Sequence, residues 1–202
     1  EVGQALCELV TQLLAGAIEI KGYATLAVPG GSVAKMLQGL TELEDAARVD
    51  WTKVFLFFVN ERVPEQKNYK LAKATWTDAV GLPDENIAKV GAGTPEQEAD
   101  AYVEKMLALP EGAMNRFEDG QPAFDIILLG AGADGHVGSL YPGSKEMLEQ
   151  TQIMIGVDNP EKRSITFSLP FINCAVSVVV AAVGESKAQM MQRLLEGDAD
   201  GE

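Results

Sequence analysis

The 202-residue chain is 47% hydrophobic and 23% charged, enough for one domain with a full core and ordinary for a globular protein. Its 16 basic residues against 30 acidic leave a net charge of −14, which argues against nucleic acid and anionic membranes as partners. No apolar run reaches transmembrane length and residues 1–20 hold no base, so neither a membrane span nor a leader peptide is expected, and the expected setting is cytoplasmic.

In chain order, Leu6, Leu9, Val10, Leu13, Leu14, Ala17 and Ile18 recur at helical spacing, which predicts a helix over 4–19. Ala24 to Val28 reads as a short buried strand, followed by the turn Pro29-Gly30-Gly31-Ser32 and a helix capped by Ser32. Two readings fit this turn: an anion site made by backbone N–H groups and a hydroxyl, or a plain tight turn with a serine cap. Val54 to Val59 is a second buried strand running into Asn60-Glu61-Arg62, which is either a ligand-facing strand end or a solvated one. Residues 66–79 read as a weakly patterned helix, 81–95 as loop, and the Ala99, Tyr102, Val103, Met106 and Leu107 pattern as a helix ended by Pro110. Glu111 to Pro122 reads as exposed connection, Ile153 to Val157 and Ile165 to Leu169 as strands, and Val176 to Val183 as the strongest strand of all. A helix follows in which Ala188, Met191, Leu194 and Leu195 share a face. Strands alternating with helices predict an α/β fold: a doubly wound, mainly parallel sheet with helices on both faces, in a single domain over 1–202.

The stretch from Phe124 to Ser144 carries the most chemistry. The buried run Ile126 to Leu129 opens into four glycines within nine residues, Gly130, Gly132, Gly135 and Gly138, interleaved with Asp134 and His136, the sole histidine. Gly130, Gly132 and Gly135 spell the dinucleotide fingerprint, but Gly138, Pro142 and Gly143 leave no room for the long helix it requires, so nicotinamide binding is not expected. His136 is either a surface or packed ring without a role, or a catalytic imidazole on a strand-end loop. With one histidine and two distant cysteines, Cys7 and Cys174, a zinc site and a disulfide framework are not expected. The acidic surface repels anions, so a phosphorylated substrate requires positive potential concentrated in one pocket.

Four blocks in order resemble the 6-phosphogluconolactonase family, a relative of the glucosamine-6-phosphate isomerases: AVPGGSVAKML (27–37), FFVNERVP (57–64), the GxGxDGH-x-x-SLYPG stretch, and IN-C-A…G-E-S-K-A…LLEG (172–197). The resemblance implies hydrolysis of 6-phospho-D-glucono-1,5-lactone, a small sugar-phosphate lactone, to 6-phosphogluconate with no metal or organic cofactor. It implies His136 as general base, Asp134 as its orienting carboxylate, and Arg62 or the glycine-loop N–H groups at the oxyanion. It further implies Gly30, Gly31, Ser32 and Lys187 on the phosphate, with Asn60, Glu61, Gly132 and Arg163 as further substrate contacts. Departures are Asn60 where the family has Asp, a short loop between Pro64 and Asn68, Ser164 where the family has Arg (Arg163 is one step earlier), and, after Glu202, none of the further segment with which the family continues past the Leu194–Gly197 region. The isomerase-deaminases have F-N-E-P after D-G-H; Leu140-Tyr141-Pro142 here lacks that carboxylate, which counts against deamination. A non-catalytic sugar-phosphate binder is the remaining alternative.

Overall fold

The computed structural model describes residues 1–117 and 120–197. The elements in chain order are α1 (Val2–Lys21), β1 (Ala24–Val28), α2 (Gly31–Met36), β2 (Val54–Phe58), β3 (Asn60–Arg62), α3 (Lys67–Ala72), α4 (Pro95–Leu107), β4 (Asn115–Arg116), β5 (Pro122–Ala123), β6 (Ile126–Leu129), β7 (Met154–Val157), β8 (Ser164–Phe167), α5 (Leu169–Asn173), β9 (Ser177–Val180) and α6 (Ala188–Glu196). Short 3₁₀ segments join several of them, and a π-helical turn, Lys73–Thr77, extends α3.

Strands β2, β1, β6 and β9 form a parallel sheet in that order, with Leu26 opposite both Leu56 and Ile126. Alternate residues of these strands point to opposite faces, which divides the core in two. Leu26, Val28, Leu56, Phe58, Ile126 and Leu128 pack with α1, α2 and Trp76 on one side. Ala27, Phe57, Val59, Ile127 and Leu129 pack with Tyr102 and Met106 of α4 and Phe171 of α5 on the other. Both faces are covered, as continuous apolar strand runs require. The expected doubly wound architecture with a parallel central sheet is present.

Several local expectations differ from the structure. The helix after β1 is capped by Gly30, with no side-chain cap bond, and Ser32 lies inside its first turn. Asn60–Arg62 is not the tail of β2 but a separate strand pairing antiparallel with β8, which also pairs antiparallel with β7. This three-stranded sheet packs on α4, and hydrophobic runs alone do not tell parallel from antiparallel partners. The apolar run at Val176–Val183 reads as the strongest strand, yet only Ser177–Val180 of it is strand, and that strand, β9, lies at an edge of the sheet. Val178 and Val180 remain 39% and 37% exposed because no element among the described residues covers that side. The 111–122 connection holds β4, which pairs with β5, and its Ala113 and Met114 are buried. Among the described residues, no helix is long and apolar enough to cross a membrane.

Candidate active site

The carboxyl ends of β1, β2 and β6 lie side by side, so the loops leaving them share one rim. There a cavity of about 330 Å³ is lined by Gly30, Gly31 and Ser32 after β1, Asn60 and Arg62 of β3, Lys67 and Asn68 of α3, Gly132, His136, Ser139 and Tyr141 after β6, and Lys187 before α6. Gly30 and Lys187, 157 positions apart in sequence (187 − 30 = 157), therefore line the same cavity. Arg62, Lys67 and Lys187 bring three positive charges, and among the described residues no carboxylate lines the cavity. Among the described residues none of the three is in an ion pair, so their charge is available to an anion. In a chain of net charge −14 this is the concentration of positive potential that a phosphorylated ligand requires.

The loop after β6 braces itself. Gly132 N–H donates to the His136 carbonyl at 2.8 Å, Gly135 N–H to the Gly132 carbonyl at 3.1 Å, and Leu140 N–H to the Val137 carbonyl at 2.9 Å. Two of the loop amides considered for an oxyanion, those of Gly132 and Gly135, are thus already committed. Asp134 Oδ1 lies 2.6 Å from His136 Nδ1 and also accepts the His136 backbone N–H at 3.3 Å. That contact holds the Asp134 carboxyl below the usual carboxylate range, so it is ionised throughout the neutral region. With Asp134 accepting from Nδ1–H, Nε2 keeps the lone pair. The ring stacks on Tyr141, centroids 4.6 Å apart and planes at 29°. An imidazole held by a carboxylate on one side and an aromatic face on another is oriented, not loose. A Cβ on Gly132 would lie 2.1 Å from His136 Nδ1 and 2.2 Å from Asp134 Oδ1, so this position admits only glycine if the pair is to form.

On the opposite wall, Glu61 does not line the cavity. It is 1% exposed, and its carboxylate accepts the backbone N–H groups of Arg62, Asn68 and Tyr69 at 2.7, 3.0 and 2.8 Å. Burial pushes its carboxyl upward, and those N–H groups oppose the shift. Glu61 therefore shapes the turn that carries Arg62, Lys67 and Asn68 and makes no direct contact with the cavity. Asn68 Nδ2 donates to the Asn60 carbonyl at 2.5 Å, and a Cβ on Gly30 would meet Asn68 Oδ1 at 2.3 Å. The glycine turn after β1 and the α3 turn thus interlock. Asn60 Nδ2 donates to Ser139 Oγ at 3.1 Å.

Arg163 also lies outside the cavity lining, paired with Asp158 at 3.3 Å. On β8 the residue opposite Arg62 is Ser164, and one step along a strand reverses the face, so Arg163 is turned away where Ser164 is turned in. Of the candidate residues read from sequence, Gly30, Gly31, Ser32, Asn60, Arg62, Gly132, His136 and Lys187 come together at the cavity, and Asp134 joins through His136. Lys67, Asn68, Ser139 and Tyr141 were not singled out. The only advance signal for Lys67 was a base just after the Arg62 turn, and Tyr141 stood in the motif without a role.

The profile of the family described as glucosamine-6-phosphate isomerases/6-phosphogluconolactonase matches residues 1–202. A 6-phosphogluconolactonase of Synechocystis sp. is 32% identical over 199 residues, covering 95% of this chain and 79% of its own length. The 6-phosphogluconolactonase of Rattus norvegicus is 31% identical over 210 residues, covering 97% and 78%. Among solved structures, the devB protein superposes with a TM-score of 0.81 at 25% identity, covering 98% of this chain and 84% of its own. The 6-phosphogluconolactonase of Thermotoga maritima superposes at 0.78 and 19% identity, covering 96% and 86%, a likeness of fold. The chain belongs to the glucosamine-6-phosphate isomerase/6-phosphogluconolactonase family.

Proposed function

We propose that this chain hydrolyses 6-phospho-D-glucono-1,5-lactone to 6-phosphogluconate, the pentose phosphate pathway step, with His136 as general base. The observation that carries the reading is one cavity lined by an imidazole that Asp134 orients and by three cations, in an otherwise acidic molecule. The names of the relatives support the lactonase side of the family. The Asp134–His136 pair leaves Nε2 able to take a proton from water as its oxygen attacks the lactone carbonyl carbon. Arg62, with two glycine-loop amides already committed, is the cation assigned to the oxyanion. Collapse breaks the bond between that carbon and the ring oxygen, and the imidazolium returns its proton to the departing oxygen. The acid so formed ionises.

Lys67 and Lys187, with Gly30, Gly31 and Ser32, are assigned to the phosphate. The proposal includes a cytoplasmic setting, which free Cys7 and Cys174 support, and a small-molecule substrate in place of nucleic acid. The test is lactone hydrolysis measured against the spontaneous rate. Acceleration that disappears in His136→Asn supports the reading, and a wild-type rate equal to the spontaneous one overturns it.

A further inference from the structure

Ser139 joins the two sides of the cavity, and its hydrogen bonds do not balance within the protein. It is 7% exposed, and Ser164 beside it is 1% exposed. Ser139 Oγ accepts from Asn60 Nδ2 at 3.1 Å and from Ser164 Oγ at 3.1 Å. Its backbone N–H is taken by Thr166 Oγ1 at 3.1 Å. A hydroxyl has two lone pairs and one hydrogen. The Ser139 and Ser164 hydroxyls share one bond and carry two hydrogens, so one hydrogen of the pair has no acceptor among the described residues, and with Ser164 donating it is that of Ser139, the member of the pair that lines the His136 cavity. A buried donor left unmet is costly, so its direction carries information.

The hydroxyl is set in the wall between two hollows. Ser139, Arg62 and Tyr141 line both the His136 cavity and an adjoining cleft of about 550 Å³. We infer that Ser139 is a substrate-binding residue whose hydroxyl, fixed by Asn60 and Ser164, donates to an oxygen of the sugar chain, so that the site selects a phosphorylated polyol over a phosphorylated alkane. This rests on the sugar-phosphate reading above and assigns the recognition of the hydroxylated part of the ligand, which the cations do not provide. It also gives Asn60 a use as an amide: its Nδ2 donates to Ser139, which a carboxylate at that position could not do.

The test is calorimetric titration with two probes, 6-phosphogluconate and n-hexyl phosphate, which share a phosphate and six carbons and differ in the oxygens. Wild type is expected to bind the polyol more tightly. Ser139→Ala is expected to weaken 6-phosphogluconate by about 3- to 10-fold, the worth of one net hydrogen bond, and to leave n-hexyl phosphate within 2-fold, roughly the scatter of a weak contact. Equal losses on both probes would mean that Ser139 only shapes the cavity, and no loss on either would mean that its hydrogen points elsewhere. Both outcomes overturn the inference. If Ser139→Ala does not fold, Ser139→Cys, which keeps the size and only a weak donor, is read in the same way. Absence of lactone hydrolysis in wild type, with the probe discrimination intact, would fail the activity and leave the binding role standing.

Discussion

His136 owes its orientation to three neighbours: the Asp134 carboxylate at 2.6 Å, the face of Tyr141, and a glycine at 132 with no Cβ to intrude. His136→Asn removes the base while keeping a polar group of similar bulk. Turnover is expected to fall by about 10²–10⁴, the range for a positioned base, with little change in the affinity for phosphate. Steady-state kinetics on the lactone, alongside phosphate titration, measure both. Gly132→Ala is a sharper probe of geometry. Its methyl would occupy the space of both His136 Nδ1 and Asp134 Oδ1, so the pair must part. A displacement of about 1 Å at a reacting group costs on the order of 10² in rate. The variant should show that loss with an ordinary circular-dichroism melt; normal turnover would show that the pair is not needed.

At the scale of elements, the β3–α3 turn is held by one buried carboxylate accepting three backbone N–H groups, those of Arg62, Asn68 and Tyr69. Glu61→Gln replaces one acceptor oxygen with a donor and leaves at least one of those amides unmet, a cost of about 1–3 kcal/mol. Because the turn carries Arg62 and Lys67, KM for the lactone should rise as well. The pH dependence has a definite sign. Burial raises the folded-state value of Glu61 above its unfolded one. Its contribution to stability is therefore fully present below the unfolded carboxylate range and is lost as pH rises through the folded value. Denaturant melts across that window should show the wild-type advantage over Glu61→Gln shrinking as pH rises. An advantage that does not change with pH would mean that Glu61 titrates alike in both states.

Over the whole molecule, a net charge of −14 and a cavity to which Arg62, Lys67 and Lys187 bring positive charge are two parts of one arrangement. Long-range repulsion keeps anions dilute at the surface, and short-range attraction holds those that reach the β1–β2–β6 rim. Inorganic phosphate binding the folded cavity and not the unfolded chain should raise the melting temperature. At ten times Kd the gain is about 1.4 kcal/mol, or about 3–6 °C for a domain of this size. Lys187→Ala should reduce that gain, and Lys67→Ala with Lys187→Ala should nearly abolish it. Differential scanning fluorimetry over a phosphate series measures it, and an unchanged response in the double variant would place the anion elsewhere.

The sequence by itself determined the elements whose patterns are local. Leu6 to Ile18 specified α1, the runs at 24–28, 54–58 and 126–129 specified strands of the parallel sheet, and the glycines after Leu129 excluded a long helix there. It also pointed to part of the cavity lining, from Gly30 to Lys187, because strand-end loops of a parallel sheet share a rim whatever the distances between them in sequence. Only the tertiary structure decided partners. Val176–Val183 is as apolar as a central strand, yet its place at the edge follows from strand order, which no single strand encodes. Glu61 and Arg163 are both polar residues near strand termini, and their types do not show which way they face. The antiparallel pairing of β3 with β8 turned Ser164 inward and left Arg163 with Asp158, and burial under the α3 turn gave Glu61 backbone N–H groups in place of a ligand. Lys67 reached the cavity only because that turn folds back over Gly30, a contact between Asn68 and a glycine 38 positions earlier (68 − 30 = 38). Side-chain direction on a short irregular segment is set by what packs against it, and that is the information a linear pattern lacks.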